Sequence, residues 1–525
     1  MWFNTHRAEG RALGAEKRGA AITTGGPLST DQRILRVVGL ATIVVLAVAA
    51  CSSSGTKSSS AGSSASAQAS GATTSSGDPC QQPVDSSVDK DNGTGAGQEQ
   101  WMINCAKAHP LKATGDPIVL GWQNPEGDPS GTFPETTVAA KAAVDYVNNT
   151  LGGVGADLKA GKPGRPLKLQ VCSTAINPAD NLRCANEIAS AKPFLAASTI
   201  NFFGNNYPVF TAAKIPDFVL VPVTVADFTS PDLYAIGAGG GCVGVHTGLI
   251  EFVTKDLAAK KVAVPWADTP PGVVCYNDLE KKPLHILAGT ADGPPEAKGK
   301  VPGLTDIGVP IKPSAADVTP QAQQVLDFKP DAIVFSAQDS DCWSLVSTLG
   351  KLGWTPSKIP LVLAGSCIDT QKAIDAGDLG KGIYFVGAPP SNQPDLLQGV
   401  LRLEAQTYLD EMKKAGASDD VSKGFAVAGF QGVMNFQQYL STAAMQAGGA
   451  DKLTGDAFVA YVKSTSNVHA FGGTPLGCKD AVASYQAVCA TTVTATQFDG
   501  AKYVTKRANF SGTYIIKGTQ IDAGK

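Results

Sequence analysis

The chain has 525 residues, of which 43% are hydrophobic and 17% charged, and its formal net charge is −3. This composition can bury large cores, and the length predicts roughly two to four folding units. The near-neutral charge gives no electrostatic basis for binding nucleic acid or an anionic membrane surface.

Residues 1–50 have the features of a targeting segment. Arg33 and Arg36 precede an apolar run, 37–50, that ends in small residues before Cys51. This order is typical of a secretory signal peptide. The alternative is a transmembrane anchor, although such a helix needs roughly 20 apolar residues. The four residues that end at Cys51 resemble the bacterial lipobox, which implies that Cys51 is lipidated and becomes the mature N-terminus.

Residues 51–79 consist mainly of Ser, Gly, Ala and Thr. They have too little apolar bulk to fold and are predicted to form a flexible tether.

The cysteine pattern indicates an oxidising compartment. The sequence has 11 cysteines, and those other than Cys51 fall in neighbouring pairs. We expect these pairs to be local disulfides. No C-x-x-C pair and no histidine at zinc-ligand spacing is present, so no metal is expected. The predicted pairs are Cys80/Cys105, which closes an appendage over 80–114, Cys172/Cys184, Cys242/Cys275, Cys342/Cys367 and Cys478/Cys489.

From Asp116 onwards, apolar runs and helical patterns alternate. The predicted strands are 118–120, 167–171, 194–197 and 218–221, and the predicted helices cover 140–151 and a segment starting at Asn177-Pro178. This alternation predicts parallel strands joined by crossover helices. Ligands of such sheets bind beyond the carboxyl ends of the strands.

The second half repeats the alternation. Strands are predicted at 262–264, 307–309, 332–335, 361–363 and 383–386, helices at 321–328, 343–352, 397–414 and 425–447, and short strands within 491–516. Breaks at 239–241, Pro389-Pro390 and Gly472-Gly473 are predicted hinge positions. The glycines at 239, 241 and 244 match a dinucleotide fingerprint in spacing, but no clear strand precedes them, so no cofactor is expected.

The sequence contains no G-x-S-x-G, H-E-x-x-H or Walker A motif. Its five histidines are scattered, and Ser366 has no histidine nearby in sequence. Asp339 and Asp341 are interpreted as acids at a helix N-terminus, which the helix dipole favours. We therefore predict a protein that is not an enzyme, although distant catalytic partners can meet in a fold.

Loops that follow the predicted strands form the candidate ligand site. They lie at 122–131, 202–206 and 223–226 in the first half, and at 266–271, 338–339 and Ser366 in the second. The aromatic residues among them fit either a pocket wall or core packing. The candidate ligand-binding residues are Trp122, Asn124, Phe202, Phe203, Gly204, Thr224, Trp266, Asp268, Gln338, Asp339 and Ser366.

The chain over 116–505 resembles the type I periplasmic binding proteins of ABC importers, in particular the branched-chain amino-acid (Leu/Ile/Val) binding family. With its lipobox and tether, it resembles the actinobacterial-type lipoproteins of that family. The resemblance is carried by the strand and Pro/Gly loop at 118–131, the helix end at 147–153, the run 167–171 and the segment 213–216. It implies a two-lobed α/β fold with parallel sheets flanked by helices and a hinge of three crossovers. The implied boundaries are 115–238 and 389–472 for lobe 1, and 239–388 and 473–525 for lobe 2.

In that family, loops after the third and fourth strands hold the ligand carboxylate through hydroxyl and backbone N–H groups. Thr224 is the best-placed hydroxyl, whereas Phe203 or Gly204 stands where another is expected. Pro270 or Pro271 stands near an expected aromatic residue. Ser366 replaces an expected acid that holds the ligand ammonium. These departures disfavour a plain α-amino acid as ligand.

The predicted function is an extracytoplasmic solute-binding protein on the outer face of the cytoplasmic membrane. It would capture a small polar or amphipathic molecule, such as an amino-acid-like compound, an amide or a carboxylate, and deliver it to an ABC permease and ATPase. The alternative is a ligand-sensing module of the same fold without transport.

Overall fold

The computed structural model of the protein describes residues 77–128, 131–388, 391–423 and 425–522. The predictions for the signal peptide, for Cys51 and for most of the tether lie outside these residues, as does the predicted break at Pro389-Pro390.

Helices and strands alternate along most of the described chain. The strands are β1 (Ile118–Pro125), β2 (Leu167–Thr174), β3 (Leu195–Ile200), β4 (Asp217–Val221), β5 (Leu233–Ala235), β6 (Lys261–Ala267), β7 (Thr305–Ile311), β8 (Ala332–Phe335), β9 (Leu361–Ala364), β10 (Tyr384–Gly387), β11 (Val493–Phe498) and β12 (Tyr503–Phe510). The helices are α1 (Asp89–Asn92), α2 (Ala96–Ala108), α3 (Pro134–Asn149), α4 (Pro178–Ser190), α5 (Tyr207–Ala213), α6 (Val225–Thr229), α7 (Gly241–Glu251), α8 (Pro270–Tyr276), α9 (Lys282–Ala288), α10 (Thr319–Asp327), α11 (Asp339–Lys351), α12 (Thr370–Asp375), α13 (Gly399–Lys414), α14 (Ala426–Ala447) and α15 (Gly455–Ser464). Within the described ranges, no helix is both long and apolar enough to cross a membrane.

The first sheet has the order β2-β1-β3-β4-β5, and all of its strands are parallel. Its core receives α3 and also α13 to α15, which come much later in the chain. Phe218 on β4 contacts Tyr234, Phe436 and Phe458. One aromatic side chain thus links this sheet to α14 and α15.

The second sheet has the order β12-β11-β10-β9-β8-β6-β7. Its strands are parallel except for β11 and β12, which form an antiparallel edge. Phe385 on β10 meets Tyr503 edge-on, with ring centroids 5.2 Å apart. Two sheets flanked by helices confirm the predicted α/β fold.

The chain crosses between the two sheets three times. It leaves the first sheet after β5, returns after β10, and crosses again between α15 and β11. Before β11, the segment 487–489 runs along the free edge of β5. There Ala235 donates its N–H to Ala487 O at 2.7 Å and accepts from Cys489 N at 3.0 Å.

Local sequence explains several helix ends. The Asn177 side chain accepts from Asp180 N, and Pro178 takes the first position of α4, as predicted. Thr224 and Asp227 form a reciprocal capping box at α6. Helix α14 ends at Gly448, which has a φ of 81°.

Two elements differ from the sequence prediction. Gln123 and Asn124 were expected in a loop, but β1 continues to Pro125, which pairs with Thr174 of β2. Polar residues can extend a buried strand here because their side chains find partners inside the fold. The segment after the predicted break at 239–241 is also regular, since α7 starts at Gly241.

All five neighbouring cysteine pairs are disulfide-bonded, which confirms that prediction. Cys80–Cys105 closes the appendage by joining its first turn to α2, and Ile103 and Ala106 on α2 are buried in the core of the first sheet.

A buried polar cluster also attaches the appendage. His469 lies between Asn92 O, at 2.8 Å from Nδ1, and Glu404 Oε1, at 2.5 Å from Nε2. Burial raises the pKa of Glu99 to about 8, and the nearby charge of Glu404 adds to the shift. Burial alone would lower the pKa of His469, but Glu404 outweighs it and raises that pKa to about 9.

Candidate functional site

A cavity of ≈ 190 Å³ lies between the two sheets. This is several times the roughly 30 Å³ that a water molecule occupies in the liquid, so the space fits a small molecule. Strand ends of both sheets line it: β4 contributes Leu220 and Val221, while Ser336, Ser366 and Ala388 follow β8, β9 and β10. This is the edge at which open α/β sheets bind ligands.

Small residues at the ends of β9 and β10 open this space. A Cβ atom on Gly387 would stand 2.9 Å from the Cα of Gly365. Only glycines allow the two strand ends to approach so closely. The cavity floor is therefore backbone and small side chains.

The turn after β9 is held by two contacts. Ser366 Oγ donates to Ala337 O at 2.8 Å. The disulfide between Cys342 and Cys367 fastens the same turn to α11, and Trp343 Nε1 donates to Cys367 O at 3.1 Å. These contacts fix the Ser366 hydroxyl at the cavity wall.

The opposite wall comes from α14 and two crossover segments. Gln431 Nε2 donates to Gly472 O at 2.9 Å, and Ser391 Oγ donates to the same oxygen at 3.1 Å. Gly472 N donates to Glu404 Oε2 at 2.7 Å. The cavity wall is thus connected through Gly472 to the buried Glu404–His469 pair.

The loop before α14 completes this wall. Phe425 stacks at a tilt on Phe133, with ring centroids 5.3 Å apart, and its N–H donates to Glu135 Oε1 at 3.3 Å. Burial raises the pKa of Glu135, and the nearby charges of Asp339 and Asp420 raise it further.

His246 on α7 is the buried titratable residue of the cavity lining. Its Nδ1 lies 2.9 Å from Glu280 Oε1, within ion-pair distance. Neither atom makes a hydrogen bond of acceptable angle. The two groups therefore lie close together without a directed hydrogen bond.

Among the described residues, two groups of donor atoms are close enough together to hold a metal ion. They are Cys242, His246 and Cys275, and Asp78, Cys80 and His109. Each group includes sulfur atoms already in a disulfide, and a metal prefers the thiolate form. These groups do not fit a metal centre.

Of the predicted ligand-binding residues, Ser366 alone is in the cavity lining. Trp122 is completely buried in the core of the first sheet. Asn124 is also buried; its Nδ2 donates to Phe133 O at 2.8 Å, and its Oδ1 accepts from Thr199. Trp122 is thus used in apolar packing, and Asn124 has hydrogen-bond partners inside the protein.

Of the other predicted positions in the first half, Phe202, Phe203 and Gly204 lie in the loop after β3, and Thr224 follows β4. Phe202 and Phe203 are half-buried, and Gly204 precedes α5. Phe203 N and Gly204 N both donate to Asn201 Oδ1. Thr224 is used by the capping box of α6.

The remaining positions surround the second sheet. Trp266 stacks on Tyr276 with centroids 5.2 Å apart, and Asp268 is exposed. Gln338 Nε2 donates to Ser314 Oγ at 3.3 Å. Asp339 forms an ion pair of 2.6 Å with Lys372.

Sequence reasoning missed most residues of the cavity wall, including His246, Ser391, Lys423, Phe425 and Gln431. Ser391 lies on the second crossover and Gln431 on α14, while Lys423 and Phe425 lie in the loop before α14, far in sequence from any predicted strand end. The usable signal was the small residues that follow β8, β9 and β10.

Comparison with known proteins supports the fold. A family model described as periplasmic binding protein matches residues 287–497. No curated protein matches the sequence.

Solved structures of substrate-binding proteins match most of the chain. A leucine-binding protein from Thermotoga maritima has a TM-score of 0.55 at 12% identity, covering 75% of this chain and 98% of its own. A solute-binding protein from R. palustris in complex with 4-hydroxybenzoate has a TM-score of 0.54 at 20% identity, covering 75% and 97%. A fatty acid ABC transporter substrate-binding protein from Thermomonospora curvata has a TM-score of 0.56 at 18% identity, covering 80% and 99%. The chain has the type I periplasmic binding protein fold.

Proposed function

We propose that this chain is an extracytoplasmic solute-binding protein, held at the outer face of the cytoplasmic membrane by lipid on Cys51. It captures a small polar or amphipathic molecule in the interlobe cavity and delivers it to the permease and ATPase of an ABC importer. The observation that carries this proposal is the position of the cavity, where strand ends of both sheets meet.

Three further observations support it. The five disulfides fit an oxidising, extracytoplasmic compartment. Structural neighbours are named for leucine, 4-hydroxybenzoate and fatty acid, which all carry a carboxylate on an apolar body. The lining here likewise combines apolar side chains with a few polar ones, as small-molecule sites usually do.

Hydrogen bonds in the cavity wall connect the ligand site to a crossover segment, so ligand binding can be coupled to closure of the two lobes. A ligand that contacts Gln431 or Ser391 is one hydrogen bond away from Gly472, which lies on the third crossover. Gly472 has a φ of 60° and lacks a side chain, so its backbone can adopt conformations closed to other residues. Closure would bury the ligand and present a different surface to the permease.

The first test is a thermal-shift screen of carboxylates, amides, amino acids and amines against the full chain. A ligand at a hundredfold excess over Kd stabilises the folded state by about 2.7 kcal/mol. Ala428→Trp, on the α14 side of the cavity, should abolish the shift because indole fills the space. Gln446→Trp adds the same side chain at the exposed end of α14 and should leave the shift intact.

Two results would oppose the proposal. A shift that survives Ala428→Trp would place the ligand elsewhere, and chemical turnover of the ligand would point to an enzyme. Absence of any shift across the screen would also count against solute binding.

The lipid anchor is tested separately by cell fractionation. Cys51→Ser should not be lipidated, so it should lack the acyl chains that hold the parent protein on the membrane. Radiolabelled palmitate should enter the parent protein alone. Equal labelling of both proteins would exclude Cys51 as the lipidated residue.

A further inference from the structure

The described lining of the cavity contains no acidic side chain. Among the described residues that line it, the ionisable side chains are those of His246 and Lys423, and none is an Asp or Glu. The polar remainder consists of hydroxyls and amides, such as Ser336, Ser366 and Gln431. Among the described residues, the lining therefore offers one lysine ammonium, one histidine and neutral hydrogen-bonding groups, but no anionic partner.

Most of the other lining residues are hydrocarbon. Leu220, Val223, Val245, Ile368 and Phe425 all contribute to the wall. An apolar ligand body is stabilised in proportion to the surface that such side chains remove from water.

Three acids contact residues of the lining from outside it, and each already has a partner there. Glu280 lies against His246 Nδ1, and Asp420 Oδ1 accepts from Lys423 Nζ at 2.8 Å. Glu135 accepts the Phe425 N–H at 3.3 Å, and burial raises its pKa. None of these three carboxyl groups belongs to the lining.

A buried charge needs a partner of opposite sign. Without one, an ammonium loses its hydration and regains little, a cost of several kcal/mol. A ligand carboxylate avoids this cost. The Lys423 ammonium has three N–H donors, of which Asp420 accepts one, the Ser336 hydroxyl can donate, and the Ser366 hydroxyl can do so by turning away from Ala337 O.

We propose that the cavity selects small apolar monocarboxylates that lack an α-ammonium group over the corresponding α-amino acids. This inference rests on the proposed function, since it assumes that the cavity is the solute site. It defines the ligand as an aliphatic or aryl-alkyl acid whose carboxylate meets the Lys423 end of the lining.

Matched ligand pairs test the selectivity. Isothermal titration of the full chain compares 4-methylpentanoate with leucine, and 3-phenylpropanoate with phenylalanine. Each pair differs only by the α-ammonium group. Each acid should bind at least about tenfold more tightly than its amino acid, which corresponds to about 1.4 kcal/mol. The amine 4-methylpentan-1-amine should not bind.

A matched pair of variants tests the role of the lysine. Lys423→Met should weaken binding of 4-methylpentanoate at least about fivefold, because hydrogen bonds to charged groups are the stronger ones. Lys414→Met is the control: Lys414 is also exposed and pairs with an acid three residues before it, but it lies outside the cavity lining. The affinity of Lys414→Met for 4-methylpentanoate should match that of the parent protein.

Failure of the proposed selectivity and failure of the proposed solute-binding function would give different results. If leucine or phenylalanine binds as tightly as its acid, and Ala428→Trp abolishes that binding, the selectivity is wrong and the solute site stands. If neither acid binds but another compound does so in the cavity, the ligand class is again wrong. If 4-methylpentanoate binds and Lys423→Met has no effect, the carboxylate assignment is overturned.

Discussion

The strand ends of the two lobes use polar residues in opposite ways. At the ends of β1 and β3, polar side chains are large and bonded to one another: Asn206 Nδ2 donates to Gln123 Oε1 at 3.3 Å and to Ser198 Oγ at 2.9 Å. At the ends of β8 to β10, the residues are Ser, Gly and Ala, and they border the cavity. Polar groups that already have partners stabilise the fold, whereas small residues leave room for a ligand.

This difference predicts that changes at the ends of β1 and β3 alter stability, while changes at the ends of β8 to β10 alter binding. Four experiments test it, beginning with the largest expected effect.

The first concerns the buried cluster of lobe 1. The pKa of Glu99 is raised from its ordinary 4.5 to about 8, so its contribution to stability is fully present below pH 4.5 and is lost as the pH rises through 8. The free energy of unfolding should fall by up to about 1.4 kcal/mol per pH unit in this window. Glu99→Gln does not titrate, so its stability advantage over the parent should grow from pH 5 to pH 8 in chemical denaturation.

His469 contributes to the same curve at higher pH. Its pKa is raised from 6.5 to about 9, so its stabilisation is also lost as the pH rises, between those values. Both proteins retain most of this loss, and their difference reports the titration of Glu99 together with its charge interaction with His469. Parallel curves for the parent and Glu99→Gln would show that Glu99 titrates normally.

Disulfides near the two sets of strand ends provide the second experiment. Replacing both Cys342 and Cys367 with Ala should cost about 3–4 kcal/mol of stability by loop entropy. It should also weaken binding of 4-methylpentanoate, because the Ser366 turn loses its attachment to α11. Replacing Cys172 and Cys184 should cost about 3 kcal/mol and leave affinity unchanged, because this pair lies away from the cavity. If both replacements changed the affinity for 4-methylpentanoate equally, the predicted difference between the two sets of strand ends would be wrong.

Asn124→Ala is the third experiment. It removes donors to Phe133 O and Thr137 Oγ1 and leaves the Thr199 hydroxyl without its acceptor. We expect a loss of about 2–4 kcal/mol in urea unfolding and unchanged affinity for 4-methylpentanoate. The exposed Asn186→Ala, as a control, should change stability by less than about 0.5 kcal/mol. Lost affinity with intact stability would restore Asn124 as a ligand-binding residue.

Ser366→Ala is the fourth experiment and has the smallest expected effect. The half-exposed hydroxyl has one hydrogen bond within the protein, to Ala337 O. Stability should fall by about 1 kcal/mol or less, and 4-methylpentanoate should bind severalfold more weakly. A stability loss as large as that of Asn124→Ala, with normal binding, would contradict the comparison.

Periodicity predicted the fold well for a physical reason. Strands such as β8 are buried on both faces of a parallel sheet, so their apolar runs are continuous and easily recognised in the sequence. The disulfides followed from the spacing of the cysteines along the chain. Helix α7 escaped prediction because it begins in a run of glycines that normally ends regular structure.

The candidate site was harder to predict, because the sequence shows the type of each residue but not which partners its side chain finds in the fold. Trp122 and Asn124 have the chemistry of ligand-binding residues, yet the fold places them in the core. Phe425 and Gln431 reach the cavity from α14 and the loop before it, through long-range contacts that no local pattern records. Space itself, created by Gly365 and Gly387, has no side-chain signal.

A crystal structure of the full chain grown with 4-methylpentanoate tests the central claim most directly. The account predicts ligand density in the cavity between the sheets, in contact with Ser366 and Phe425, with the carboxylate at the Lys423 end. Ligand density elsewhere, for example in the outer pocket bordered by Gly204 and Asp217, with the interlobe cavity filled only by water, would contradict it.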